Sequence, residues 1–332
     1  MNLARFERRS FFTGATPIEK LENLSKKLGG PNIYIKRDDM YGIFSPGGNK
    51  TRKLEFLMGE ALGLGADTII TCGAPQSNHC RLTLAAAVKL GFDCHLVIEE
   101  RVPGTYKEDA NGNNLHYRLL GAKSYTIVES GTDLIAVMQK KAEELKKEGK
   151  TSYIIPTGGS NPVGALGYAS CCAEILQQLF EMSLKIDHIV ITSGSSGTHG
   201  GMLAGMAALS GGIPIVGISI SRKKEPQIQL IYEMAVKIAK KIGSHEPKLE
   251  DVIVYDEYVG DGYSLPTEGM AEAVKLLATM EAIILDPVYT GKTMHGLIDL
   301  IRKGVFKKGE NVLFVHTGGS TAIYEYRGQI GL

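Results

Sequence analysis

The chain has 332 residues, room for two domains that each bury a core, which excludes a small disulfide-stapled scaffold. Its 37 basic residues balance 36 acidic ones at a formal charge of +1, so it carries no electrostatic footprint for nucleic acid or another polyanion. Ordinary hydrophobic and charged shares, 43% and 22%, exclude disorder, and the one departure is glycine, 40 residues or about 12% against a usual share of about 7%. These glycines cluster without a period, which reads as turns where backbone approaches something closely.

Residues 1–13 carry Arg5, Arg8 and Arg9 but no apolar stretch of signal-peptide length, and no run reaches the roughly 20 apolar residues of a membrane span. Cys72, Cys80, Cys94, Cys171 and Cys172 form an odd set without metal-ligand or CxxC spacing, which suits free thiols in a reducing cytoplasm. The eight histidines are scattered, and no metal site is expected.

Strands are predicted at 33–36, 68–72, 94–98, 124–128, 152–155, 188–192, 215–218, 283–286 and 311–316. Helical patterns separate them, such as 52–64 with Leu54, Leu57, Met58, Ala61 and Leu62 on one face. This alternation implies an α/β fold of mainly parallel sheets covered by helices, with functional residues just after strands. Glycine turns at Gly47-Gly48 and Gly158-Gly159 read as crossings between two lobes, and the cleft between lobes suits a small-molecule site.

The first chemical segment runs from Ser45 to Lys53. It is not a phosphate-binding P-loop, because Asn49 separates Gly48 from Lys50. The turn can aim Lys50 into the cleft, where burial and nearby cations such as Arg52 and Lys53 would lower its pKa and suit it to capturing a carbonyl. Taken alone, the segment reads first as a solvated basic first turn of a helix, since most lysines are simply exposed.

After strand 68–72 comes a polar cluster, Ser77, Asn78 and His79, with Ser77 placed to cap the next helix and free amides suited to a carboxylate. After strand 188–192 come Gly194, Ser195, Ser196, Gly197 and Thr198, ahead of a helix expected to begin near Met202. Their hydroxyls and amides make an anion cup for one phosphate, or else a tight turn. No Gly-x-Gly-x-x-Gly appears, and no acidic ribose ligand stands near Ile218 and Ser219, so a dinucleotide does not fit. Two later strand ends carry Tyr289-Thr290-Gly291 and Thr317-Gly318-Gly319, each with a hydroxyl beside glycine that would suit a heterocyclic nitrogen.

Together these parts stand in the order found in pyridoxal-phosphate enzymes of the tryptophan synthase β-subunit type, known as fold type II. From Asn2-Leu3-Ala4-Arg5-Phe6 through Tyr34-Ile35-Lys36-Arg37-Asp38-Asp39 to Asp286-Pro287-Val288-Tyr289 and Met294-His295-Gly296, the chain resembles the family of D-cysteine desulfhydrase and 1-aminocyclopropane-1-carboxylate (ACC) deaminase. The resemblance implies two three-layer αβα domains, a large cofactor-binding one from 1–50 plus 160–332 and a small one from 51–159, with pyridoxal phosphate between them. It makes Lys50 the lysine that holds the cofactor and moves protons, places Asn78 at the cofactor's ring hydroxylate, and gives the phosphate to Gly194 through Thr198. Ser77, Asn78 and His79 would bind the substrate, Ser77 at its carboxylate or reacting carbon, with Tyr263 and Tyr289 flanking the ring. A homodimer is also implied.

In that family, ring-opening deaminases carry glutamate and leucine where this chain has Thr290 and Thr317. A carboxylate keeps the ring nitrogen protonated, whereas a hydroxyl suits an unprotonated one and a weaker electron sink. The resemblance therefore implies β-elimination on a small amino acid, D-cysteine foremost, giving pyruvate, ammonia and hydrogen sulfide. L-cysteate sulfo-lyase, ACC deaminase and a catalytically silent phosphate-ligand or cofactor-binding module are the alternatives.

Overall fold

Runs such as 68–73 and 188–193 are apolar at consecutive positions rather than alternate ones, as strands covered on both faces must be. The computed structural model, which describes residues 1–331, folds them into two sheets. In chain order the elements are β1 (Ile18–Lys20), α1 (Glu22–Leu28), β2 (Asn32–Lys36), α2 (Asn49–Gly63), β3 (Thr68–Gly73), α3 (Asn78–Leu90), β4 (Asp93–Glu100), α4 (Asn113–Leu119), β5 (Ser124–Glu129), α5 (Leu134–Lys147) and β6 (Ser152–Ile155). There follow α6 (Pro162–Glu181), β7 (His188–Ser193), α7 (Gly197–Ala208), β8 (Ile215–Ser219), α8 (Lys224–Ile242), β9 (Ile253–Tyr255), α9 (Glu268–Glu281), α10 (Thr290–Arg302) and β10 (Asn311–Val315).

The larger sheet has the order β1-β2-β10-β7-β8-β9, parallel except for the edge strand β1; the smaller, β5-β4-β3-β6, is parallel throughout. Strand β7 shows why each sheet needs two helical layers: Ile189 and Ile191 pack among α6, α7 and α8, while Val190 packs on the opposite face with α9 and α10. The smaller sheet is likewise sandwiched, with α2 and α3 on one face and α5 on the other. No helix among the described residues is long and apolar enough to cross a membrane. All five cysteines are buried and free.

Three expectations need correction. Residues 283–286 form no strand. Ile283 and Leu285 are buried and Ile284 is exposed, which imitates a strand, but β10 already has β2 and β7 as neighbours. Instead His316 Nε2 donates to the Ile284 carbonyl (3.1 Å), and the Asp286 amide donates to Thr290 Oγ1 (2.8 Å). The helix placed at 52–64 starts at Asn49 and is buried nearly all round, because α2 lies between α3 and α6; Leu62, assigned to its apolar face, is exposed. Helix α7 starts at Gly197, within the Gly/Ser cluster, rather than near Met202.

In the larger sheet the chain runs outward from β7 to β8 and β9, then returns to lay β10 on the other side of β7. That reversal between β7 and β10 opens a crevice at their carboxyl ends, the usual ligand site of an open parallel sheet.

Candidate active site

Two connected chambers occupy this crevice. Asn49, Asn78, Thr198 and Thr317 line the inner one, Ser77, Arg101, Arg222 and Tyr263 the outer one, and Lys50, His79, Gly194, Ser195 and Tyr289 belong to both. Of the predicted site residues, only Gly197 lines neither; it sits buried in the first turn of α7.

Lys50 is aimed by the turn before α2. A Cβ on Gly47 would stand 2.3 Å from the Tyr41 carbonyl oxygen, so only glycine lets the chain double back there. The Gly48 amide bonds the Tyr41 carbonyl (2.9 Å), the Asn49 amide bonds the Thr317 carbonyl (3.0 Å), and the Asn49 side chain donates to Thr198 Oγ1 (3.0 Å). Lys50 Nζ then reaches Asn49 Oδ1 (3.0 Å) and lies 5.8 Å from the centre of the Tyr289 ring. Burial lowers its pKa to about 8, against the opposing pull of the Asp286 charge. Arg52 takes no part in this. It turns away to a buried ion cluster, with Asp38 and Glu174 each at 2.8 Å, and ties α2 to the larger sheet and α6.

The cup forms where β7 gives way to α7. Ser196 stands at the N-cap position with φ +69° and makes no side-chain cap bond, and the amides of Ser195, Ser196, Thr198 and His199 find no acceptor among the described residues. Four free N–H groups at a helix start form an anion site. Beneath them lies a residue that the sequence reading gave no such role, Lys53. It is fully buried with no carboxylate, and Nζ is held by the Gly158 carbonyl (3.1 Å) and Ser160 Oγ (3.2 Å). Ser160 in turn bonds Ser195 of the cup (2.8 Å), and a Cβ on Gly197 would come within 3.0 Å of the ammonium. Burial and then the Lys50 charge push Lys53 well below the ordinary lysine range, a cost that an anion in the cup would offset.

Opposite the cup, Ser77 caps α3 by accepting from the Cys80 amide (3.1 Å), and the Asn78 and His79 amides have no acceptor among the described residues. Asn78 Oδ1 accepts from Asn113 Nδ2 (2.9 Å), while Asn113 Oδ1 accepts from Arg81 Nε (2.7 Å). The His79 ring is fully engaged. Thr71 Oγ1 spends its hydrogen on the Ile155 carbonyl (2.9 Å) and so accepts from His79 Nε2 (2.8 Å), and Thr83 Oγ1 lies 3.4 Å from Nδ1. Burial holds this ring well below its usual pKa, so His79 offers a ligand its backbone amide and a neutral wall.

Tyr289 and Tyr263 bond hydroxyl to hydroxyl, with ring centres 6.0 Å apart. Thr317 faces the inner chamber, and its hydroxyl bonds no group among the described residues. Thr290 does not join it. Its hydroxyl is closed on Asp286, accepting from the amide and donating to Oδ1, each at 2.8 Å. Asp286 is itself saturated by the Val288, Tyr289 and Thr290 amides.

Over residues 9–318 the chain matches a family described as pyridoxal-phosphate dependent enzyme. Among solved structures, that of an ACC deaminase homologue superposes with a TM-score of 0.90 at 39% identity, covering 99% of this chain and 96% of that one. O-ureido-L-serine synthase superposes with a TM-score of 0.65 at 17% identity, over 94% of this chain and 92% of that one. A hydrogen sulfide-producing enzyme from Fusobacterium nucleatum gives 0.62 at 19%, over 92% and 93%. The last two share the fold.

The donor set of the inner chamber fits pyridoxal phosphate. The free amides over unpaired Lys53 suit a phosphate, Lys50 with its lowered pKa suits an aldehyde, and Asn78 offers an N–H to a ring oxygen.

Proposed function

The chain belongs to the pyridoxal-phosphate-dependent enzyme family, and from that premise we propose that it catalyses β-elimination on a small amino acid. D-cysteine leads, taking up one water to give pyruvate, ammonia and hydrogen sulfide. The observation that carries this reading is that no carboxylate lines the inner chamber among the described residues, and the neutral Thr317 hydroxyl on its wall would be the group to face a ring nitrogen.

The bound cofactor supplies an electron sink for the substrate's α-carbon. A sink facing a neutral hydroxyl is a weak one. It suffices when the leaving group departs with the electron pair, whereas opening a cyclopropane ring has no such exit. Lys50, with a pKa near 8, can hold or release a proton close to neutral pH. The free Asn78 and His79 amides at the start of α3 would bind the substrate carboxylate, with Ser77 fixing that turn. Burial keeps Tyr263 and Tyr289 protonated. Since only one of them donates in their shared bond, the other O–H remains free for the departing group.

A product panel tests this reading, using both cysteine enantiomers, L-cysteate, β-chloro-D-alanine and ACC. Pyruvate from D-cysteine or β-chloro-D-alanine supports it. Pyruvate with sulfite from L-cysteate alone moves the assignment to a sulfo-lyase built from the same parts. 2-Oxobutanoate from ACC alone overturns it in favour of the deaminase, and no product at all favours a silent binding module. The reading places the enzyme in the cytoplasm as a homodimer, for which light scattering should report two copies.

A further inference from the structure

The outer chamber has about 310 Å³ of free volume and holds charges that the reaction described above does not use. Arg101 follows β4 of the smaller sheet and Arg222 follows β8 of the larger, so two guanidiniums reach the same chamber from opposite sides. Glu99 is the single carboxylate beside them. It accepts Arg101 Nε (2.7 Å) and the Gly131 amide (3.2 Å), and neither terminal nitrogen of Arg101 has an acceptor among the described residues. Arg222 Nη1 donates to the Gly194 carbonyl (3.1 Å) and approaches Ser221 Oγ (3.5 Å), leaving Nη2 free. The chamber thus presents unspent N–H donors and an excess of positive charge. Burial and then the charge of Arg101 lower the pKa of Arg222.

The direction from the reacting lysine to these donors is marked by the tyrosine pair. Tyr289 lies beside Lys50 Nζ, its hydroxyl meets that of Tyr263, and the Arg101 guanidinium sits 4.5 Å from the centre of the Tyr263 ring. The carboxylate of a bound amino acid is already provided for at the start of α3, so the arginines face what projects from its β-carbon. We propose that Arg101 and Arg222 form an anion subsite for the substrate's β-substituent, selecting amino acids that carry it as a sulfonate or a thiolate. This rests on the reading that Lys50 marks the reacting end of the cleft.

Three amine-free probes separate the subsite from the chemistry: 3-sulfopropanoate with a fixed second anion, 3-mercaptopropanoate with one that forms as the pH rises, and butanoate with none. Calorimetry on the holoenzyme should show 3-sulfopropanoate binding at least tenfold tighter than butanoate. Arg101→Met and Arg222→Met should each cut that advantage about tenfold and leave butanoate unchanged. If 3-mercaptopropanoate gains affinity as its thiol ionises, the subsite also accepts thiolates; if it gains none, the subsite is specific for the sulfonate. Equal binding of 3-sulfopropanoate and butanoate to the unaltered enzyme overturns the proposal, as does an advantage that survives the double variant. The probes need no turnover, so a failed product panel would leave a positive result standing.

Discussion

Asn113 Nδ2 donates to Asn78 Oδ1 at 2.9 Å, and this bond decides which end of the Asn78 amide faces the cleft. Arginine has donors only, so Arg81 fixes Asn113 with Oδ1 towards itself and Nδ2 towards Asn78 and the Gln76 carbonyl (2.9 Å). Asn78 is left presenting its N–H to the ligand. Asn113→Asp keeps the acceptor for Arg81 but cannot donate to Asn78, which should turn over and present oxygen instead. Loss of a hydrogen bond to a charged group costs about 1.5–3 kcal/mol, so cofactor affinity should fall roughly ten- to a hundredfold. Titration of the apoprotein with pyridoxal phosphate, followed by absorbance, measures this, and an unchanged melting temperature shows that the fold survives.

With Lys50 proposed as the lysine that holds the cofactor, capture would need it as the free amine. Its pKa is lowered to about 8, so the neutral fraction rises about tenfold per pH unit below that value and levels off above it. The rate of reconstitution should follow this curve, with its bend near pH 8. A bend near the ordinary lysine value of 10.5 would show that burial does not tune the amine.

The ion cluster under α2 should matter more for stability than for chemistry. Arg52 bridges Asp38 and Glu174, and Lys36 Nζ also bonds Glu174 (2.5 Å). Removing one member of such a buried set typically costs about 3–5 kcal/mol, so Arg52→Met should unfold at clearly lower urea. For Asp38, burial raises the pKa, but Arg52 and Lys36 more than reverse that and hold it below 3.8. Its contribution is therefore complete above about pH 4 and is lost as the pH falls, and urea midpoints measured down through that range should show the loss.

Thr317→Val removes a neutral hydroxyl that lines the inner chamber without a partner among the described residues, and keeps its shape. Cofactor content should be retained while kcat falls about tenfold, roughly one hydrogen bond's worth. Thr290→Val should act differently. It breaks the turn around Asp286 and lowers stability, because the Thr290 hydroxyl never reaches the chamber.

What the sequence disclosed follows the range of the interactions involved. Strands β3 and β7, the Ser77 cap and the turn aiming Lys50 are local patterns, legible from neighbouring residues. Strands β1 and β9 have three residues each, too few to show a period, and they exist because a neighbouring strand offers its edge. Lys53 looked like part of a basic helix start because its partners, Gly158 and Ser160, lie about a hundred residues away. Asn113 and Arg222 were hidden similarly, each being an ordinary loop-to-helix residue until the fold sets it beside Asn78 or Arg101. Thr290 shows the reverse error. A hydroxyl at a promising position is claimed by the carboxylate four residues before it.

The proposed function stands on Lys50 as the residue that holds the cofactor. Borohydride reduction of the holoenzyme, followed by digestion and mass spectrometry, identifies the lysine involved. The reduced pyridoxyl group should appear on Lys50, in near-stoichiometric yield, and should be absent from the Lys50→Ala variant. A label on Lys53 or on any other lysine, or none on a protein that stays colourless with added pyridoxal phosphate, would overturn the assignment.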